Sequence, residues 1–238
     1  MLEEHNVNDD LTTTVVVTDA GGGPDGSGGS STPEREVVGV TVGAGGDPLI
    51  VILPLFCVGS LALGILLTGW LAPLAALTGI VPIMSVATGL TLLLGTVWAL
   101  LLGLTIVAGI SGIFAGFWLS LSALLLGLDH GWYAMPATAT SSVEELFFIC
   151  WAILIFMLLL PVLKLPLAYP LIVALVVAAL VLSAIAASGT DPVEVFRAAG
   201  IVVLAFAAIG LYAFVSVGLA ALDFNVSLPL GPIPGSHA

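Results

Sequence analysis

The chain has 238 residues, 60% of them hydrophobic and 8% charged, with 15 acidic side chains against three basic ones. Soluble globular domains carry about a quarter charged residues, so this composition excludes one. A formal charge of −12 with three bases also excludes nucleic-acid binding, which needs clustered Lys and Arg to meet phosphates.

Residues 1–46 hold eight acids and one base, Arg35, and read as a disordered acidic tail. Gly21–Ser31 consists of Gly, Ser, Pro and Asp, with too little apolar surface to offset the entropy of ordering. Thr12–Val17 is β-prone but isolated, so at most it adds a strand to a partner. The opening Met-Leu-Glu-Glu lacks the basic and apolar segments of a secretory signal. Two readings stand for the tail: a solvated segment, or a segment that binds a partner.

From Pro48 to Leu128 there are 81 consecutive uncharged residues. A membrane-spanning helix needs about 20 residues, so this run holds three spans with tight turns. Leu146–Leu163, Leu165–Thr190 and Ala198–Leu222 add one each, giving six. The runs are continuously apolar where a transmembrane barrel strand would alternate. The fold class expected is an all-α membrane protein. Its spans are placed near residues 49–70, 79–100, 104–127, 143–163, 167–187 and 193–221, within a domain of residues 47–224 followed by a short tail, 225–238.

Helix starts support these divisions. Asp47-Pro48 sets an N-cap acid before a proline at the first helical position. Ser141-Ser142-Val143-Glu144-Glu145 offers overlapping capping boxes, and Asp191-Pro192-Val193-Glu194 repeats the pattern for span six. The break between spans two and three rests on Gly103. Arg35 and Lys164 fall on one side and Arg197 on the other, which by the count of basic residues puts both termini in the cytoplasm. Trp70, Trp132, Tyr133 and Tyr169 sit at span ends, as interfacial aromatics do.

No expected span carries an ionisable side chain in its interior, and His5, His130 and His237 lie in tails or loops. Proton-moving pumps place such groups at depth. Haem or iron–sulfur ligation and intramembrane proteolysis need ligand or catalytic sets that the spans lack. Cys57 and Cys150 lie in apolar runs, against a disulfide framework or a Cys-based zinc site. The expectation is no enzyme, no cofactor and no metal. Asp129-His130 reads as a solvated loop, and Glu144 and Glu145 as helix caps or as charges that tune anion access at a pore mouth.

Gly109, Gly112 and Gly116 form a glycine row on span three, read either as a packing face or as room for a narrow path. Ser60, Thr68, Thr91, Thr96, Thr105, Ser111, Ser120 and Ser122 supply hydroxyls, though such groups usually bond their own helix backbone.

Gly112-Ile-Phe-Ala-Gly-Phe-Trp-Leu-Ser-Leu121 resembles the third span of the acetate uptake transporter family, the succinate–acetate permeases. Asp47-Pro48-Leu49 is similar to a reduced form of that family's opening Asn-Pro-x-Pro-Leu-Gly, here the motif at the mouth of the pore. Trp151 with Lys164 thirteen residues on resembles its fourth span, and Ser227-Leu228-Pro229-Leu230-Gly231 its C-terminal Thr-Val-Leu-Pro-Leu-Gly. The four landmarks keep the family's order and nearly its spacing across residues 47–231.

The resemblance implies a six-helix protomer in a homo-hexamer, cytoplasmic termini in the plasma (inner) membrane, and a pore through each protomer. Family members pass acetate and related short carboxylates through a constriction of two aromatics and a leucine. By position Phe114 replaces the third-span Tyr. Phe56, or by strict alignment Pro54, replaces the first-span Phe, and Leu175, or Val176, supplies the aliphatic member. Departures remove polar groups: Gly45 and Gly46 stand for the opening Asn and Pro, Ile50 for the Gly, Thr96 for a Gln, Trp98–Gly103 for a charged exit from span two, and Phe114 for Tyr. Thr96 and Ser111 remain as polar lining. The reading is a transporter or channel for acetate or related monocarboxylates, crossing as the undissociated acid or as a hydrated anion. The alternatives are a channel for a small neutral solute such as urea, and a scaffold subunit that transports nothing.

Overall fold

The computed structural model describes residues 46–189, 191–222 and 228–234. The N-terminal tail with Arg35, the Asn225-Val226-Ser227 glycosylation sequon, His5 and His237 lie outside the described residues. Among those described, every regular element is helical, and six helices are long and apolar enough to cross a membrane.

The first, α1, runs Leu49–Leu67. Its start follows the expected chemistry: Asp47 Oδ1 accepts the Leu49 N–H at 2.9 Å, satisfying a donor that a helix start leaves orphaned. Pro54 lies inside α1 and removes one hydrogen bond from its second turn.

Span two departs from a plain α-helix. A 3₁₀ segment, Leu74–Ile80, leads into a π-helical stretch, Ile83–Leu90, and then α2, Thr91–Leu101. The turn before α3, Thr105–Asp129, is a Schellman motif on Gly103. Gly103 has φ +72°, its N–H meets Leu100 O, and the Leu104 N–H reaches back to Ala99 O. Only a residue without Cβ takes this conformation at no steric cost, which is why one glycine suffices to divide spans two and three.

Helix α4, Thr140–Val162, starts ahead of its expected capping boxes. Ser141 and Ser142 fall in its first turn, and no side-chain cap forms, because the 3₁₀ turn Ala137–Ala139 feeds the chain directly into the helix. Helix α5 is Ala168–Ala187 and α6 is Pro192–Ala221. The expected Asp191 box is also absent: Asp191 has φ +42°, its side chain caps nothing, and Glu194 instead receives Arg197 Nη1 at 2.8 and 3.0 Å.

Helix α1 packs on α6, α5 lies between α4 and α6, and α2 packs on α3. A close backbone approach joins α1 to α6 at Gly64 and Gly200, where a Cβ on Gly200 would stand 3.0 Å from Gly64 O. The glycine row of α3 serves side chains instead. Gly112 faces Thr96, Gly116 faces Trp151, and Gly109 faces nothing. Helix α4 buries Ala152, Ile155 and Val162 and turns Leu146, Ile149, Ile153, Phe156, Met157 and Leu160 outward. Such all-round apolarity is what a helix between a bundle and a bilayer requires. Lys164 and Arg197 fall at opposite ends of the bundle, following the ends of α4 and the start of α6.

Candidate functional site

The candidate site is a file of cavities inside the bundle. Phe56 comes from the middle of α1 and Phe114 from the middle of α3; both are buried, with ring centroids 4.9 Å apart and planes inclined at 58°. Phe206 of α6 stacks on Phe56 at 5.7 Å. Tilted and offset aromatic pairs of this spacing attract beyond their buried area, so the rings hold one another in place.

Phe56 and Phe114 are shared by two cavities. One, of about 140 Å³, lies toward the α1 N-terminus and is lined by Leu49, Leu92, Ile110, Ser111, Tyr169 and Val173 among others. The second, of about 80 Å³, lies toward the α4 N-terminus, between Leu63, Trp118, Leu121, Glu144, Val176 and Phe206. Beyond the first, Gly46, Asp47, Leu49, Leu102, Leu104 and Val107 line an open depression of about 500 Å³. The depression and the first cavity have Leu49 and Val107 in common.

The motif at the mouth divides its work. Asp47 and Leu49 line the opening, while Pro48 is among the fully buried side chains. Leu175 is half-buried against the core and lines neither inner cavity; its neighbour Val176 lines the second and Val173 the first. Helical geometry explains this, since one residue of offset rotates a side chain by about 100°. Tyr169, at the start of α5, also lines the first cavity, whereas Trp70 and Trp132 are exposed at span ends.

The two cavity walls are almost wholly apolar, and the Ser111 and Ser183 hydroxyls on them are committed. Thr96 Oγ1 lies 2.8 Å from Leu92 O and 2.9 Å from Ser111 Oγ, which itself lies 2.9 Å from Val107 O. Two hydroxyl hydrogens serve these contacts, so Ser111 offers its cavity a lone pair and no donor. Thr96 stands behind Ser111 and does not line the cavity. Ser183 Oγ donates to Ala179 O at 2.8 Å. On the other wall, Trp118 Nε1 is buried without a protein acceptor, as is Ser122 Oγ.

Glu144 is the acidic residue on the wall of the second cavity, and Asp47 lies at the far mouth. Among the described residues no three His, Cys, Asp or Glu side chains come together as a metal site would need. Asp129 and His130 are exposed, 3.6 Å apart, and His130 Nδ1 lies 3.0 Å from Leu126 O.

Sequence reasoning missed Phe206, because an aromatic in a continuously apolar span carries no positional signal. It matched the C-terminal segment to the family's closing motif but gave it no role. Leu230 O and Pro232 O accept the Ala168 and Leu167 N–H groups at 2.9 and 3.1 Å, and Tyr212 donates to Pro229 O at 3.1 Å. The prolines at 229, 232 and 234 forbid a helix there and leave free carbonyls, the one readable sign of such a role.

The family model of the GPR1/FUN34/yaaH family matches residues 30–234. Among solved structures, that of the bacterial acetate channel SatP is similar with a TM-score of 0.69 at 18% identity, covering 79% of this chain and 100% of that one. At that identity the likeness is one of fold. No curated protein sequence matches.

Proposed function

The chain belongs to the GPR1/FUN34/yaaH family, the acetate uptake transporter family, and from that premise we propose that it passes acetate or a related small monocarboxylate between Phe56 and Phe114. It is an integral membrane protein with six spans. One observation carries the reading: the same two rings bound both inner cavities, so a solute moving from one to the other must pass them.

The chemistry of the walls favours an uncharged permeant. An unpartnered carboxylate in an apolar enclosure is strongly disfavoured. Ser111 presents an acceptor on the wall of the first cavity, and Tyr169 brings a hydroxyl to the same wall. An undissociated carboxylic acid brings one donor and one acceptor, which a wall with an acceptor and a phenolic hydroxyl can meet. A small amide such as urea offers the same groups, and this is the observation that supports the second reading.

From the family resemblance we take the homo-hexamer as its form, in the plasma (inner) membrane with both termini cytoplasmic. The acidic segment before residue 47 stands as a tail outside the membrane domain of residues 47–224. Purified protein in liposomes, assayed for flux of labelled acetate against labelled urea, tests the proposal. Acetate flux well above urea supports it, the reverse favours the neutral-solute channel, and no flux of either leaves a scaffold.

A further inference from the structure

Phe56 sits on a weakened stretch of helix. Pro54, two residues earlier, has no N–H, so the helical bond to Ile50 O is missing one turn before the ring. A helix interrupted in this way needs ties from outside if a side chain on it is to keep a fixed position. Such ties are present on both sides. Cys57 Sγ lies 3.6 Å from Ala207 O of α6, next to the Phe206 ring that stacks on Phe56. Thr88 Oγ1 donates to Leu55 O at 2.9 Å from the opposite side.

Thr88 departs from the habit of the other hydroxyls. Ser60, Ser85, Thr96, Ser111 and Ser183 each bond a carbonyl four residues back on their own helix. Thr88 instead reaches a different span, 33 residues away in sequence. It is fully buried, and its side chain lies directly on Gly59, where any Cβ would collide with it. The π-helical turn Ile83–Leu90 contains it, and turns of this kind are inserted chiefly at functional positions.

We propose that Thr88 is a positioning residue for the aromatic pair: its hydroxyl, carried by the π-turn and admitted by Gly59, fixes the height of Phe56 against Phe114 and so sets the size of solute that passes. The proposal rests on the reading that solutes pass between these rings.

The test uses the full chain in lipid nanodiscs and liposomes, with 4-fluorophenylalanine at position 56 as a ¹⁹F reporter. Thr88→Val keeps shape and removes the hydroxyl; Thr88→Ser keeps the hydroxyl. We expect Thr88→Val to shift or broaden the ¹⁹F resonance and to raise the butyrate-to-acetate flux ratio roughly threefold, the factor equivalent to one interhelical hydrogen bond in a membrane. Thr88→Ser should restore both. If Thr88→Val does not assemble, Thr88→Ala against Thr88→Ser gives the same contrast. A Val or Ala variant with the wild-type resonance and flux ratio overturns the proposal. Absence of acetate flux in the wild type would instead overturn the transport reading, and the ¹⁹F contrast would still decide whether Thr88 holds Phe56.

Discussion

Phe56 of α1 and Phe114 of α3 meet at 4.9 Å with their planes inclined at 58°, and both rings line each of the two inner cavities. If solutes pass between them, as proposed, such an apolar gate excludes by size and by the loss of hydration, without any charged filter. Truncating one ring should therefore widen the passage before it changes anything else. Phe114→Ala is expected to raise the flux of butyrate relative to acetate in liposomes, with acetate flux itself retained or increased. A folded Phe114→Ala variant with wild-type flux and selectivity would remove Phe114 from the path.

The fold was legible because bilayer thickness and hydrocarbon insolubility act on every residue of a span. Runs of uncharged residues and the single Gly103 placed all six helices to within a few residues. The candidate site was most legible where an aromatic carried a motif, as Phe114 does before Gly116-Phe117-Trp118, while Phe56, Val176 and the Asp47 mouth came from position in the family pattern. Phe206 was not, since a helix that faces both lipid and core is apolar on all sides and loses the periodicity that marks an inner face, and Thr88 was not, since a hydroxyl in a span gives no sign of whether it bonds its own helix or another. Caps were the least legible. Asp47 makes its bond, while the Ser141 and Asp191 boxes yield to a preceding 3₁₀ turn and to a left-handed residue.

An uncharged permeant imposes a sign on the pH dependence. The undissociated fraction of a carboxylic acid falls about tenfold for each pH unit above its pKa near 4. Initial acetate flux at fixed total concentration should therefore rise by nearly that factor from pH 7 to pH 6, while urea flux stays flat. Acetate flux that does not change over this interval would show that the anion is carried.

Glu144 gives a second view of the same question. It stands on the wall of the second cavity, where a negative charge would hinder an approaching anion and leave a neutral solute unaffected. Glu144→Gln preserves shape and removes the charge. Acetate flux at low ionic strength should stay within about twofold of wild type. A much larger rise that collapses with added salt would mark the permeant as charged.

The C-terminal segment should matter to stability more than to transport. Helix α5 begins at Ala168, and a helix start leaves four N–H groups without partners in its own turns. Two donors at this start, Leu167 and Ala168, are met by Pro232 O and Leu230 O, and Ser216 Oγ on α6 donates to Leu228 O at 3.3 Å. Gly231, at φ +87°, lets the segment turn against Leu167. A chain ended after residue 227 loses all of these acceptors at once. Each hydrogen bond lost costs about 1 kcal/mol net, so losing two lowers the melting temperature of a chain of this length by roughly 4–8 °C. Gly231→Ala, which strains the turn and leaves every acceptor in the chain, should give a smaller drop in the same direction. Because the segment touches neither Phe56 nor Phe114, the butyrate-to-acetate ratio of both variants should match wild type below their melting points. A changed ratio would tie the α5 start to the passage itself.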